Sequence, residues 1–385
     1  MDELQAVREL FPETPPPAAR VTARARRRAT GAAGRRLPRL RWALPGLGLV
    51  AAATAVALAV GSAGSAGDGP KRPVPTSSLP LDGRAVFLAA AEQAERQPMG
   101  GYWYCDQISG QSYLLKAGYA VIGAHLETFE WTGAAKGSGG RFYGRDLPAR
   151  PATPEDEAVW ERAGAPTSFR VMSNGHPMTY TRKAGRWEED KGGQHSGGRF
   201  FLMGFGKELT TQEVLALPTD SRTLAKRFLS PPSPRRPGAK RGPAPVSNAY
   251  KLLRAADLLT SAPLPPKVGA GLMRALVAQP GVHTIATASD ALGRQGVALA
   301  VDQPSWGWDL RPDGTFVRKD NGYRTQEQLI FDKKTGALLA EQSVLLTPGG
   351  EYRSRKPGFV IDYWLIRSYG WTDRRPSPPP ALPFR

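Results

Sequence analysis

A run of 19 residues without a charged side chain, from Trp42 to Val60, constrains the topology of this chain more than any other feature. At a rise of about 1.5 Å per residue, a helix of this length spans roughly 28 Å, close to the hydrocarbon thickness of a bilayer. A buried helix of a soluble protein normally has a polar face, and this run has none. The sequence therefore predicts a transmembrane helix over residues 42–60.

The residues before the predicted span are strongly basic. Residues 1–41 contain ten Arg and four acidic residues, whereas the ten residues after the span carry only Asp68. Positive flanks stay in the cytoplasm, so we expect a single-pass cell-membrane protein with a cytoplasmic N-terminus and an extracytoplasmic C-terminal part. A cleaved signal peptide is the alternative, because small residues follow the apolar run. A leader of 41 residues is long for a signal peptide and favours an uncleaved anchor.

The first eleven residues have the pattern of one short amphipathic helix. Leu4, Val7, Leu10 and Phe11 recur at helical spacing. A helix this short is marginal in water, so these four residues are candidates for binding a cytoplasmic partner, and a frayed tail is the alternative. The Arg-rich stretch 20–41 is expected to contact anionic lipid headgroups. It contains no aromatic residue and no folded motif, so no nucleic-acid partner is predicted.

Composition divides the rest of the chain into folded and linker segments. Apolar residues make up 41% of the sequence, which suffices for a core, and many of the 36 prolines cluster in linkers. Residues 61–81 form a Pro-rich linker and residues 230–246 a second one that is also rich in Arg. We expect two exported α+β lobes, 82–229 and 247–373, and a disordered Pro-rich tail, 374–385. The break at 230–246 either separates these lobes or forms a long loop inside one domain.

Hydrophobic periodicity predicts an α+β fold in which helices pack on an antiparallel sheet. Capping residues place helix starts at Asp82, Pro154, Thr210 and Asp220, and two further helices cover residues 249–259 and 267–278. Alternating or continuous apolar runs predict strands over residues 102–107, 112–115, 119–131, 141–143, 282–288, 295–301, 328–331, 337–345 and 359–368. Residues 332–336 predict a hairpin turn with a glycine at the position of positive φ.

The exported part lacks the spacings of common catalytic and metal sites. None of its four His residues stands in a zinc-binding spacing, and the single Cys105 cannot form an intrachain disulfide, so we expect a buried thiol. The acidic run 188–190 could hold a cation, with a solvated loop as the alternative. The glycine-rich run 191–198 lacks the lysine and hydroxyl residue that end a phosphate loop. We therefore predict no catalytic, cofactor-binding or metal-binding residue and no enzymatic activity.

Large aromatic residues lie in or beside the predicted strands. They could line a ligand groove on a curved sheet, or they could fill the core between sheet and helices. The residues concerned are Tyr102, Trp103, Tyr104, Trp306, Trp308, Tyr363 and Trp364.

Several segments resemble an actinobacterial family of uncharacterised single-pass membrane proteins, whose members are often encoded beside extracytoplasmic-function sigma factors. The segments are MDELQAVRELFPETPPP at the start, LTTQEVLALPTDSRTLAKRF at residues 209–228 and LIFDKKTGALLAEQSVL at residues 329–345. The resemblance implies a link to sigma-factor signalling. A zinc-type anti-sigma motif is absent from residues 1–41. By analogy of fold, the order of helices and antiparallel strands is similar to the lipoprotein-carrier fold of some envelope sensors.

These observations lead to three hypotheses for function. The first is a membrane-anchored envelope protein whose outer domain binds a ligand or partner and whose inner tail contacts a sigma factor or another regulatory protein. The second is a carrier or chaperone for lipids or lipoproteins. The third is an envelope hydrolase that lacks a recognisable motif.

Overall fold

The computed structural model describes residues 82–173, 176–190, 199–202, 208–230, 247–310 and 316–384. The predicted cytoplasmic tail, span and first linker, residues 1–81, lie outside this part, as does most of the Pro/Arg-rich break. Among the described residues, no helix has the length and apolar character needed to cross a bilayer. The described part has an α+β fold with a large antiparallel sheet, as the periodicity predicts.

The centre of the molecule is a ten-stranded sheet in which every pair of neighbours is antiparallel. The strands of the described part are β1 (Tyr102–Leu114), β2 (Ala120–Gly133), β3 (Gly140–Asp146), β4 (Arg150–Pro151), β5 (Ser168–Ser173), β6 (His176–Thr181), β7 (Glu188–Glu189), β8 (Arg199–Phe201), β9 (Glu208–Thr210), β10 (His283–Ser289), β11 (Gln295–Leu310), β12 (Phe316–Phe331), β13 (Leu338–Thr347) and β14 (Val360–Thr372). In the large sheet they follow the order β10-β11-β12-β13-β14-β1-β2-β3-β7, with β4 beside β2, and two small hairpins are formed by β5–β6 and β8–β9.

Most of the helices pack on one face of this sheet, which we call the helix face. Trp160, from the helix Pro154–Arg162, belongs instead to a separate cluster with Tyr113 and Val121. Phe87 of the first helix meets Phe331 of β12 edge to face, with ring centroids 5.2 Å apart. Arg274 and Glu95 form an ion pair of 2.6 Å between two of the helices. The helices are α1 (Gly83–Glu95), α2 (Pro154–Arg162), α3 (Thr211–Leu215), α4 (Ser221–Leu224), α5 (Asn248–Ser261) and α6 (Pro266–Val277), with a π-turn at Ala225–Leu229 and a 3₁₀ turn at Gly350–Tyr352.

Local capping signals in the sequence are confirmed. The Asp82 carboxylate accepts a hydrogen bond from Arg84 N at 3.0 Å and starts α1. Thr210 and Glu213 form the expected reciprocal capping box at the start of α3. Such caps depend on residues within one turn, which is why the sequence alone predicts them. The hairpin turn also has the predicted glycine, since Gly336 has a φ of +70°.

The predicted break between residues 107 and 112 is wrong, because β1 is one strand from Tyr102 to Leu114. The glycine there does not mark a turn. A Cβ atom on Gly110 would lie 2.3 Å from the Tyr363 ring, so the missing side chain makes room for an aromatic residue on the neighbouring strand.

Strands from both sides of the Pro/Arg-rich break belong to the same sheet. Strand β1, from the expected lobe 82–229, pairs with β14, from the expected lobe 247–373, over the register Tyr102↔Thr372 to Gln111↔Asp362. Residues 230–246 therefore connect two stretches that share one sheet, which agrees with the alternative of a long connection inside one domain.

The expected disorder of the Pro-rich tail is wrong for residues 374–384. This segment, the C-terminal strap, lies against the sheet face opposite the helices. Trp187 Nε1 donates to the carbonyl of Pro379 at 2.8 Å, and the Phe384 ring lies 5.0 Å from the His125 ring. The proline-rich composition explains the absence of helix or strand, but the strap is held through its backbone carbonyls, which composition does not predict.

Candidate functional site

A cleft of about 340 Å³ opens on the helix face, between the two antiparallel helices α1 and α6 and the ends of β1 and β14. Its size falls within the range of small-molecule binding pockets, roughly 300–1,000 Å³. The hairpin turn after β12 closes one side of the cleft, since Thr335, Gly336 and Ala337 line it. The segment before α6 closes another side through Leu264 and Pro265.

The walls of the cleft are mainly apolar and aromatic. Trp103, buried to 98%, forms part of the sheet side, and Leu259 and Met273 come from α5 and α6. Gly269 of α6 lines the cleft, and a Cβ atom on it would meet only Leu259 Cδ2, at 3.5 Å. The glycine thus leaves space that any longer side chain would occupy.

Two aromatic residues of β14 have their polar atoms bonded to the backbone. The Tyr369 hydroxyl accepts a hydrogen bond from Leu338 N at 3.2 Å, and Trp371 Nε1 donates to the Leu264 carbonyl at 3.0 Å. Burial raises the pKa of Tyr369 to about 12, so this phenol stays neutral in the physiological range. Because these polar atoms are already paired, a ligand in the cleft meets chiefly ring surfaces.

Ionisable side chains are scarce around the cleft. Among its described lining residues the only ones with an ionisable side chain are Tyr104 and Tyr369, and Gln97 and Thr335 are neutral and polar. Gln97 Nε2 donates to the carbonyls of Gln93 and Thr335, at 3.2 and 3.3 Å, and so joins α1 to the hairpin turn. This lining suits a ligand that is held mainly by apolar contact.

Of the aromatic residues singled out from the sequence, some line the cleft and others fill the core. The Trp103 ring lines the cleft. The Tyr104 ring stacks on Phe129, 6.1 Å away, on the other face of β1. Tyr363 is buried in the core of that other face and hydrogen-bonds His125 Nε2 at 3.2 Å. The side chains of Trp306 and Trp308 lie outside the described part. Sequence reasoning missed Gly269 and Met273 of the cleft, since a helical glycine and a methionine carry no signal of a ligand.

The remaining candidates from the sequence are placed as follows. Residues Leu4, Val7, Leu10 and Phe11 lie outside the described residues, as does the glycine-rich run 191–198. In the acidic run 188–190, Glu189 forms an ion pair of 2.8 Å with Arg141. The side chain of Cys105 is buried, as predicted. Within the described ranges, no cluster of three or more His, Cys, Asp or Glu residues could hold a metal ion.

A second cluster of functional interest is buried on the face opposite the helices. Glu127 of β2 accepts from Arg145 Nε at 2.6 Å and from Arg367 Nη1 at 2.8 Å, so both of its carboxylate oxygens are engaged. Asp106 of β1 lies beside Glu127. Burial and the neighbouring Glu127 charge raise the pKa of Asp106 to about 7, although Arg367 and Arg145 partly oppose this shift.

His125, on the same face, is held neutral. Burial is the largest cause and lowers the pKa of His125 to about 3. Its Nδ1 lies 2.9 Å from the Pro148 carbonyl, which can only accept, so Nδ1 carries the proton and Nε2 accepts from the Tyr363 hydroxyl.

In comparisons with known proteins, no family model matches the chain and no curated protein does either. The residues of the cleft are thus what indicates the kind of ligand.

Proposed function

We propose that this chain is a single-pass envelope protein, anchored in the cell membrane, whose extracytoplasmic α+β domain binds an apolar ligand in the helix-face cleft. The observation that carries the proposal is the cleft, about 340 Å³ in volume and lined by aromatic and aliphatic residues with only two tyrosines as ionisable groups. A pocket of this kind favours a hydrocarbon chain or a flat apolar molecule, because burial of apolar surface is its main source of binding energy. The proposal includes no chemical reaction.

The anchoring part of the proposal rests on the sequence. The uncharged run 42–60 and the Arg-rich flank before it have the pattern of a membrane span with a cytoplasmic N-terminus. With this topology the cleft belongs to the outer compartment, where lipids and lipoproteins are available as ligands. The fold-level analogy to lipoprotein carriers supports the same class of ligand.

Protease treatment of intact cells tests the topology. We expect an externally added protease to digest residues 82–373, while an epitope at the N-terminus remains protected until the cells are lysed. Protection of residues 82–373 in intact cells would overturn the proposed orientation.

Mass spectrometry tests the ligand. An organic extract of the purified full-length chain should contain a lipid or another apolar compound in a fixed molar ratio to the protein. The same extract from a Gly269→Leu chain should lack the compound, because the new side chain fills the cleft. An identical extract from both chains would contradict a ligand in this cleft.

A lipid or lipoprotein carrier is the second candidate, and the same apolar cleft favours it. A carrier releases its ligand to an acceptor, so the chain should transfer a labelled lipid between vesicles. A sensor instead transmits binding to the inside, and deletion of residues 2–11 should then change the output of the partner sigma factor. No change after that deletion would remove the role proposed for Leu4, Val7, Leu10 and Phe11.

A further inference from the structure

The C-terminal strap lies in a groove whose polar groups toward it are hydrogen-bond donors. Trp187 Nε1 donates to the Pro379 carbonyl at 2.8 Å. Arg145 donates through Nη1 to Pro380 O at 3.1 Å and through Nη2 to Ala381 O at 2.7 Å. Arg367 Nη1 also donates to Ala381 O, at 3.0 Å. Three consecutive carbonyls of the strap therefore accept hydrogen bonds from one indole and two guanidinium groups.

These donors match a proline-rich segment for a chemical reason. Indole and guanidinium groups donate hydrogen bonds and cannot accept them. Proline has a carbonyl but no N–H group, so a run of prolines offers acceptors only. Residues 378–380 are three consecutive prolines. A chain with ordinary residues there would bring N–H groups for which these side chains provide no acceptor.

The donors of the groove are also held by contacts that do not involve the strap. Arg145 and Arg367 are fixed from below by the two carboxylate oxygens of Glu127, which is fully buried. The guanidinium group of Arg145 also stacks over the Trp187 ring at 4.4 Å. Donors that are already oriented lose little conformational entropy on binding, which favours recognition of an extended segment.

An aromatic pocket adds a second contact at the end of the strap. The Phe384 ring lies 5.0 Å from the His125 ring and 4.2 Å from the Arg150 guanidinium. The ring follows the last bonded carbonyl, Ala381, by three residues. By contrast, the side chains of Ala381 and Leu382 are exposed and contribute little to recognition.

We propose that this groove is a recognition site for proline-rich segments, and that the strap is its intramolecular occupant. The partner that it fits is an extended segment of another protein with consecutive prolines followed by an aromatic residue. Such a segment binds where the strap lies, so strap and partner compete for the same donors. This site is on the opposite face from the apolar cleft, and its existence does not depend on the proposed function.

Peptide binding to strap variants tests the proposal. The probe is a fluorescently labelled peptide of residues 374–384, and fluorescence anisotropy reports its binding to the full-length chain and to a chain that ends at residue 373. We expect weak binding to the full-length chain, because its own strap occupies the groove at high effective concentration. The chain ending at residue 373 should bind the peptide saturably and at least tenfold more tightly.

A point variant keeps the test decisive if the shortened chain does not fold. The full-length Phe384→Ala chain loses only the aromatic anchor of its strap, so the peptide should bind it more tightly than it binds the wild-type chain. No gain in binding by either variant, with a native circular dichroism spectrum in at least one of them, would overturn the proposal.

Trp187→Phe, made in the Phe384→Ala chain, identifies the groove as the binding site. It removes one hydrogen bond, and we expect peptide binding to weaken about fivefold. Trp160→Phe is the matched control, because Trp160 Nε1 also donates to a proline carbonyl, Pro166 O at 3.0 Å, and also stacks with an arginine, Arg182 at 4.3 Å. Equal effects of the two substitutions would overturn the assignment, as would equally tight binding of a peptide with alanine at positions 378–380.

Discussion

Asp106 is a residue whose charge state should change near neutral pH. Its pKa is raised from 3.8 to about 7, by burial first and by the Glu127 charge second. The folded protein therefore holds a proton on Asp106 between about pH 4 and pH 7, whereas the unfolded chain has lost it. Stability contributed by this group is present at low pH and is lost as the pH rises through 7, by at most about 1.4 kcal/mol per pH unit.

We expect the Asp106→Asn chain to lose this part of the pH dependence. Its free energy of unfolding, measured by denaturant titration from pH 5 to pH 8, should fall less with rising pH than that of the wild-type chain. The amide keeps the size of the protonated carboxyl, so the effect of packing is small.

His125 acts in the opposite direction and must be separated from Asp106. Its folded pKa of about 3 lies below the unfolded value of 6.5, so its contribution to stability rises with pH between these values. The contribution of His125 to stability is the same in the wild-type and Asp106→Asn chains, so it cancels when their free energies of unfolding are subtracted. Parallel pH profiles of the wild-type and Asp106→Asn chains would contradict the raised pKa of Asp106.

The hairpin turn between β12 and β13 lines the cleft and packs against α1. Gly336 has a φ of +70°, and a Cβ on it would lie 2.1 Å from the Ala90 carbonyl oxygen. Gly336→Ala should therefore destabilise the protein by roughly 2–4 kcal/mol, through both backbone strain and a collision with a helix backbone that cannot yield. Thermal or denaturant unfolding measures this loss.

Gly137→Ala is the matched control for the hairpin. Gly137 has a φ of +85°, but a Cβ there would have no atom within 4 Å. Its substitution by alanine carries only the strain term, which is about 1 kcal/mol. Similar losses at the two positions would show that the contact of the turn with α1 contributes little.

The helices and turns that the sequence predicts correctly are those that local residues determine. The caps at Asp82 and Thr210 and the turn at Gly336 are confirmed, because each depends on a few neighbouring residues. The unbroken β1 could not be predicted, because Gly110 owes its place to Tyr363, which is distant in sequence. The strap was likewise missed, since its carbonyls are bound by side chains of β3 and β14.

Because β1 pairs with β14, we expect the two sides of the Pro/Arg-rich break to fold as one unit. If residues 1–230 and 247–385 are expressed as separate chains in the same cell, a tag on the first should purify both. Each half alone leaves one edge of a central strand, β1 or β14, without its partner and should be insoluble or protease-sensitive. Two halves that fold independently and do not associate would indicate two separate lobes.

The cleft as a whole could not be predicted from the sequence, even though some of its residues were candidates. Trp103 and Tyr104 are among the aromatic residues that, from the sequence, could line a ligand groove or fill the core. Their position beside α6 follows from how the helices pack on the sheet, and helix packing depends on contacts between distant segments. Strand and helix periodicity therefore gave the α+β class, while the site required the tertiary structure.

The ligand cleft is tested most directly by titrating the full-length chain with a fluorescent polyunsaturated fatty acid. Gly269→Leu fills the cleft, and Lys267→Leu places the same side chain at an exposed position of the same helix. All three chains share residues 1–81, so any uptake of the probe through the proposed membrane anchor is equal. We predict saturable binding to the wild-type and Lys267→Leu chains and at least tenfold weaker binding to Gly269→Leu. Equal binding by all three, with native circular dichroism spectra, would contradict the assignment of the cleft as a ligand site.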